Sequence, residues 1–370
     1  MKEHQRLAFV SVRFVACLSC MIMLLAACGA SQQAAVPTSA PTMAAQPTAA
    51  AQPPTAVQRT STPAPGPGEF ANPVIDQDFP DPDILKVGDT YYAYATNANS
   101  MHIQTAKSTD LVQWSMLGDA LPKLPSWASQ TFGLTWAPEV TTYDDGKTFV
   151  MYFVSRDTAS DKQCIGAATS DKPQGPFTAA GDKPFICQPD QGGSIDPSSF
   201  ADTDGTRYVL WKNDGNCCGK TTYLYIQNVS ADGLTLAGEP TQLIKNDQSW
   251  EGNLIEAPTL WKHGNKYYLF YSANDYAGIK YAVGYAVADA PTGPYTKPST
   301  KPVLATDMKH GAGIGPGGQD IVVGPHGQTW IVYHSWNPTV DYRRMQIDRL
   351  DWNGDTPVVN GPSKQPQPKP

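Results

Sequence analysis

Five times along this chain a turn glycine opens a strand-like run rich in aromatic and β-branched residues: Gly88 ahead of YYAYAT, Gly146 ahead of FVMYFVS, Gly205 ahead of RYVLWK, Gly264 ahead of KYYLFYS and Gly327 ahead of TWIVYHS. The glycines stand 58, 59, 59 and 63 residues apart. A fixed period means one supersecondary unit used repeatedly, because such a unit buries its apolar faces only against its neighbours. A second mark, an aspartate after a small residue, follows the first four glycines at Asp110, Asp171, Asp232 and Asp289. Short strand-like runs separated by Gly, Pro, Asp and Asn turns, without helical periodicity, predict an all-β chain. Units of this length hold about four strands each, so the period predicts a five-bladed β-propeller.

Blades arranged around one axis bring equivalent residues together. Before each turn glycine lies the segment expected to enter the central channel: Asp81-Pro82-Asp83-Ile84, Ala137-Pro138-Glu139-Val140, Asp196-Pro197-Ser198-Ser199, Ala257-Pro258-Thr259-Leu260 and Gly318-Gln319-Asp320-Ile321. Four of the five carry proline at the same place, which a strand tolerates where no ladder partner is needed. In this register Asp81 and Asp196 are equivalent positions of blades one and three. Glu256 immediately precedes the matching Ala257 of blade four and aligns with Trp136 of blade two. Three carboxylates are therefore expected in one cavity. Asp83 and Glu139, two residues further on, are expected away from the axis as hydrogen-bonded or solvated groups, with Glu251 in a separate loop.

Paired carboxyl groups suit glycosidic bond cleavage: one protonates the leaving oxygen while the other acts on the opposite face of the sugar. A third nearby carboxylate raises the pKa of its neighbour by like-charge repulsion. The segments NPVIDQDFPDPDILKVGDTYYAYAT from Asn72, WAPEV at Trp136, GSIDPSSF at Gly193, IEAPTL at Ile255 and YHSW at Tyr333 together resemble glycoside hydrolase family 43, from Asn72 to about Pro362. The resemblance implies that Asp81 is the general base, Asp196 the pKa modulator that also orients the acid, and Glu256 the general acid. It implies an inverting reaction, with base and acid roughly 6.5–9.5 Å apart. It implies substrates rich in arabinose or xylose, most directly arabinan cleaved by an α-L-arabinofuranosidase or arabinanase. A β-xylosidase is the alternative, and a non-catalytic glycan-binding lipoprotein is the reading from another class. Many relatives carry a histidine in the fifth-blade motif that some use to hold calcium or its water shell. Here Gly318 stands at that place, so no metal or other cofactor is expected as the default, with a central calcium as the alternative.

Around the carboxylates, Trp136, Trp250 and Trp336 are candidate sugar contacts, because an aromatic face packs against the apolar face of a sugar ring. His334 reads as a strand histidine. Arg343 and Arg344 include a candidate carboxylate partner, and the sequence does not choose between them. Asn213 and Asp214 follow the third-blade strand as either turn residues or substrate contacts.

The first 27 residues read as a signal peptide, with Lys2, Arg6 and Arg13 ahead of an apolar run from Phe14 to Ala27. The run ends in Leu25-Ala26-Ala27-Cys28, a lipoprotein cleavage pattern that makes Cys28 the expected lipid attachment site. From 28 to 68 the chain is an Ala/Pro/Thr-rich stretch that cannot bury enough apolar surface to order itself, and reads as a tether. The hydrolase domain is expected over 69–362, followed by a disordered tail over 363–370. Export and anchoring at the outer or periplasmic face of the cell membrane follow, with contact to the membrane through the lipid alone. A formal net charge of −7 offers no basic surface for nucleic acid. The partner expected is a neutral oligo- or polysaccharide, and the protein itself a monomer. In an oxidising compartment Cys164 and Cys187 are expected to form a disulfide, while the adjacent Cys217 and Cys218 are either bridged or free. The four cysteines contain no CxxC pair, which argues against zinc.

Overall fold

The computed structural model describes residues 63–143, 146–309 and 313–370. The expected signal segment, Cys28 and the tether up to residue 62 lie outside the described residues. Five four-stranded antiparallel sheets follow one another, each a meander whose spatial order is its chain order. Blade one comprises Asp83–Val87, Thr90–Ala95, Gln104–Ser108 and Ser115–Asp119, and blade two Trp136–Tyr143, Thr148–Asp157, Lys162–Ser170 and Thr178–Ala179. Blade three comprises Ser194–Ala201, Arg207–Asn213, Tyr223–Val229 and Leu236–Lys245. Blade four comprises Ile255–His263, Lys266–Ala273, Ala282–Ala288 and Leu304–Ala305, and blade five Ile314–Val323, Thr329–Trp336, Arg343–Asn353 and Thr356–Val359. The five-bladed propeller expected from the period is the observed fold. Its turn glycines, Gly88, Gly146, Gly205, Gly264 and Gly327, all have positive φ, which the tight first hairpin of each blade requires.

Period-2 alternation explains why the second strand of each blade is apolar on both faces. In blade two, Phe149, Met151 and Phe153 pack toward blade one, whereas Val150, Tyr152 and Val154 pack toward blade three. Leu269 and Tyr271 of blade four likewise face blade three, and Tyr268 and Phe270 face blade five. Each interface between successive blades thus has its own apolar cluster, and each fully buried side chain of this kind contributes about 1.5–3 kcal/mol.

The ring closes through the ends of the domain. Val74 and Ile75 bond to Met345, and the Phe79 N–H donates to the Arg343 carbonyl, so the entering segment runs beside blade five. The expectation of a disordered tail over 363–370 is corrected by the structure: Gln367–Pro368 pairs antiparallel with Glu69–Phe70. The physical reason is buried Asp348, whose carboxylate accepts from Ser363 N–H, Ser363 Oγ and Gln367 Nε2. Polar composition suggested disorder, but here those polar groups satisfy a carboxylate that burial would otherwise leave unpaired.

Candidate active site

The register deduced from the five segments is visible in the backbone. Asp81, Ala137, Asp196, Ala257 and Gly318 have φ of 53°, 35°, 54°, 49° and 56°, a left-handed conformation that non-glycine residues adopt only at some cost. In blades two to five the ladder shifts register across this point, between Trp136 and Glu139, Ile195 and Ser198, Glu256 and Thr259, and Gly317 and Asp320. A bulge there removes these residues from regular pairing and re-aims their side chains. All three predicted carboxylates line one cavity of about 930 Å³, together with Trp136, Lys212, Asp214, Tyr276, Tyr281 and Arg343.

Each carboxylate has its own environment. Asp81 Oδ2 accepts from Thr96 Oγ1 at 2.6 Å and Oδ1 from Arg343 Nη1 at 3.2 Å. The Asp81 N–H donates to His334 Nδ1 at 3.1 Å, which places the imidazole proton on Nε2. Burial alone would raise the Asp81 pKa, but the Arg343 guanidinium and the hydrogen bonds around the carboxylate outweigh it and hold the group well below the usual range. Of the two candidate arginines, Arg343 reaches Asp81 and Arg344 reaches Asp76. Glu256 accepts from Lys212 Nζ at 2.9 Å and from Tyr281 Oη at 2.8 Å. Asp196 Oδ2 accepts from the Ala257 N–H at 3.0 Å, one residue beyond Glu256, which ties the two inner strands together. Burial, then the charge of Glu256, pushes the Asp196 pKa up to about 8. Near neutral pH Asp196 therefore holds a proton. Lys212, fully buried beside Glu256, is a residue that reading the sequence missed. Its signal was a lysine directly after the apolar run Tyr208-Val209-Leu210-Trp211.

Asp83 and Glu139 depart from expectation: rather than lying away from the axis, both line the same cavity, as does Asp320. Asp83 opens its strand just after the left-handed Asp81 and Glu139 follows the bulge of blade two, so simple period-2 alternation does not set which way they face. Asp83 accepts from the Val140 N–H, Glu139 from the Ser199 N–H and Asp320 from the Ile84 N–H, so each joins its blade to the next. Burial and then mutual repulsion raise Asp83 well above the carboxylate range, and bring Glu139 to about 8; burial brings Asp320 to about 7. Glu251 is buried and structural, accepting from Asp247 N–H, Gln248 N–H and Tyr271 Oη. Asn213 ends the second strand of blade three, donating to the Gln191 and Thr221 carbonyls and accepting from the Tyr223 N–H, whereas Asp214 lines the cavity.

Of the three tryptophans, only Trp136 lines the cavity. Trp250 stacks on Tyr271 and donates to Gln248 in the packing between blades three and four. Its ring covers Gly284, where a Cβ would come within 2.5 Å of Trp250, so it is a packing residue and not a cavity contact. Trp336 stands behind the wall: it stacks on Tyr276 at 6.5 Å and donates to the Tyr276 carbonyl. Tyr276, half exposed and with the Arg343 guanidinium 4.8 Å from its ring, is the aromatic face that the cavity presents there.

The structure joins Cys164 to Cys187 and Cys217 to Cys218, and Cys217 lines the cavity. At Gly318 a Cβ would come within 2.6 Å of the His334 ring and 2.9 Å of Asp81 Oδ1, so the imidazole of His334 fills the space a side chain would need. His334 Nε2 is buried with no hydrogen-bond partner among the described residues. His334 Nδ1 is engaged by Asp81, and Asp83, Glu139 and Asp320 are tied to backbone amides. Among the described residues one group of three potential ligands has its donor atoms close together, Asp157 with Cys164 and Cys187, and both sulfurs there are bonded to each other.

Residues 70–357 match Glycosyl hydrolases family 43. An extracellular endo-α-(1→5)-L-arabinanase of Thermotoga petrophila is 31% identical over 60% of this chain and 51% of its own length. An extracellular exo-α-(1→5)-L-arabinofuranosidase of Streptomyces avermitilis is 28% identical over 81% of this chain and 66% of its own. A β-xylosidase of Bacillus subtilis is 28% identical over 79% and 57% respectively. This chain thus spans about half to two thirds of the length of these curated relatives. The crystal structure of a thermostable family-43 glycoside hydrolase superposes with a TM-score of 0.72 at 34% identity, over 81% of this chain and 99% of that one. The chain belongs to family 43 of the glycosyl hydrolases.

Proposed function

We propose that this protein hydrolyses glycosidic bonds of arabinose- or xylose-containing plant polysaccharide with inversion, arabinan being the favoured substrate. The observation that carries this reading is the convergence of Asp81, Asp196 and Glu256 from three blades on one cavity, in three different electrostatic environments. Asp81, kept ionised, is suited to act as general base. It takes a proton from water as the water oxygen bonds to the anomeric carbon. Glu256 gives its proton to the glycosidic oxygen as the carbon–oxygen bond breaks, so the electron pair leaves with a neutral alcohol. Asp196 itself holds a proton up to mildly alkaline pH, and its bond to Ala257 N–H fixes the backbone beside the acid.

The arabinan preference is supported by the names of two relatives, an arabinanase and an arabinofuranosidase; the β-xylosidase relative supports the alternative. Export is in keeping with the extracellular relatives, and anchoring through Cys28 is proposed from the Leu25-Ala26-Ala27-Cys28 pattern. Incubation with arabino- and xylo-oligosaccharides, followed by proton NMR before mutarotation, tests the proposal. Release of sugar from one of them with the anomeric configuration opposite to the substrate is expected. Absence of release from both, or a retained anomer, would overturn it.

A further inference from the structure

The second strands of the blades carry their own ring of side chains beneath the carboxylates. On the inner strands Asp83, Glu139, Ser198, Thr259 and Asp320 pair with Tyr94, Tyr152, Leu210, Phe270 and Val332. Two residues past each partner lie Thr96, Val154, Lys212, Ser272 and His334. Four of these five are polar, and each reaches the next blade. Thr96 Oγ1 accepts from the Ala137 N–H, Ser272 Oγ from the Gly318 N–H and His334 Nδ1 from the Asp81 N–H. Lys212 differs in that it donates to a side chain, Glu256 Oε2, rather than serving a backbone amide.

We propose that Lys212 is a positioning residue that makes Glu256 a stronger acid, by holding the carboxylate left behind when Glu256 gives up its proton. This inference rests on the assignment of Glu256 as general acid. The Lys212 side chain is fully buried, and its ammonium lies 2.9 Å from Glu256 Oε2 and 2.7 Å from Asn216 Oδ1. A buried ammonium is retained only where partners compensate its lost hydration. Burial would lower the Lys212 pKa, but Glu256, Asp196 and Asp214 together outweigh it and keep the ammonium charged.

During the reaction Glu256 begins as a neutral acid and ends as an anion. A fixed positive charge beside it stabilises the end state more than the beginning, which is the condition for accelerating a step. Asp196, once ionised, acts in the opposite direction by repelling that anion. The groups facing the site are Lys212 of blade three, Asp196 on the inner strand of the same blade, Asp214 beyond it, and Tyr281, which donates to Glu256 Oε1 from the start of the third strand of blade four. Asp81 and His334 face it from blades one and five. Asn216, exposed at the cavity wall beside Cys217, accepts the second Lys212 hydrogen bond and so sets where the ammonium sits.

The test compares kcat/KM of wild type, Lys212→Met, Asn216→Ala and Glu256→Ala on two substrates. One is the oligosaccharide that the wild type cleaves, and the other is the 4-nitrophenyl glycoside of the same sugar, whose acidic phenol leaves with little protonation. Loss of one charge-assisted hydrogen bond at the acid predicts a roughly 10–100-fold loss for Lys212→Met on the oligosaccharide. On the nitrophenyl glycoside the loss should be about threefold or less. Removing a cation favours the protonated acid, so the alkaline limb of the Lys212→Met profile should move to higher pH. Asn216→Ala, at an exposed position, should show the same selectivity with a loss of roughly 2–5-fold, and it carries the test if Lys212→Met does not fold. Equal losses on both substrates with an unmoved alkaline limb, while Glu256→Ala remains selective for the oligosaccharide, would overturn the role of Lys212 alone. Equal losses for Glu256→Ala itself would overturn the acid assignment and this inference with it.

Discussion

Replacing Glu139 by glutamine should make the protein more stable at alkaline pH, although it removes a buried charge-bearing group from the centre of the fold. Glu139 lines the cavity with Asp83 and Asp320, and burial followed by the charge of Asp320 raises its pKa from 4.5 to about 8. In the unfolded chain a glutamate titrates near its ordinary value. The folded state therefore holds the proton more tightly, and stability is complete below the unfolded pKa. As pH rises from about 4.5 to about 8 the unfolded chain loses its proton first, and stability falls by about 1.4 kcal/mol per unit. The full interval would amount to about 5 kcal/mol for an isolated group; because three carboxyls share protons, a gain of about 1–3 kcal/mol at pH 9 is the expected effect. Glutamine keeps the oxygen that accepts from Ser199 N–H and Oγ, so the link between blades two and three survives. Thermal melts at pH 5 and pH 9 are the assay. The two proteins should melt within a degree or two at pH 5, and the variant should melt roughly 2–8 °C higher at pH 9. A variant melting lower than wild type at pH 9, or a gap of the same size at both pH values, would refute the reasoning.

Asp196→Asn removes the repelling partner of Glu256, so the alkaline limb of kcat/KM should move toward acid by a unit or more, while the acid limb, set by Asp81 with its own partners Thr96 and Arg343, stays in place; an unmoved alkaline limb would count against Asp196 as the modulator of the acid. Tyr276→Ala should raise KM for oligosaccharide roughly 3–10-fold, whereas Trp250→Phe should change it less than twofold; the reverse pattern would restore Trp250 as a sugar contact. Metabolic labelling with a palmitate analogue should mark the wild-type chain and leave Cys28→Ala unlabelled, and equal labelling of both would rule out the anchor.

The propeller was legible because its physics is periodic. Turn glycines at positive φ and strands apolar on both faces recur at each blade, and the position of Asp81, Ala137, Asp196, Ala257 and Gly318 follows from that register. What escaped was set by contacts between blades. Lys212 shares its parity with Leu210, so it points toward blade four, where Glu256 waits; one strand read alone shows only an interrupted apolar run. Tyr276 sits in a loop with no periodic signal, and Trp336, which does carry one, ends up as its support. Asp83 and Glu139 looked like ordinary carboxylates until the cavity they share came into view. The tail looked disordered because its role, satisfying Asp348, depends on a residue on a strand that precedes it.

The central claim is the division of labour between Asp81 and Glu256, and the dependence of each variant on the leaving group tests it most directly. With Glu256→Ala, kcat/KM should fall roughly 10²–10⁴-fold on an oligosaccharide and far less on a nitrophenyl glycoside, which needs little protonation. With Asp81→Ala it should fall severely on both, since both require an activated water. If instead Glu256→Ala is equally impaired on the two substrates while Asp81→Ala recovers on the nitrophenyl glycoside, the acid and the base are exchanged and the account is wrong.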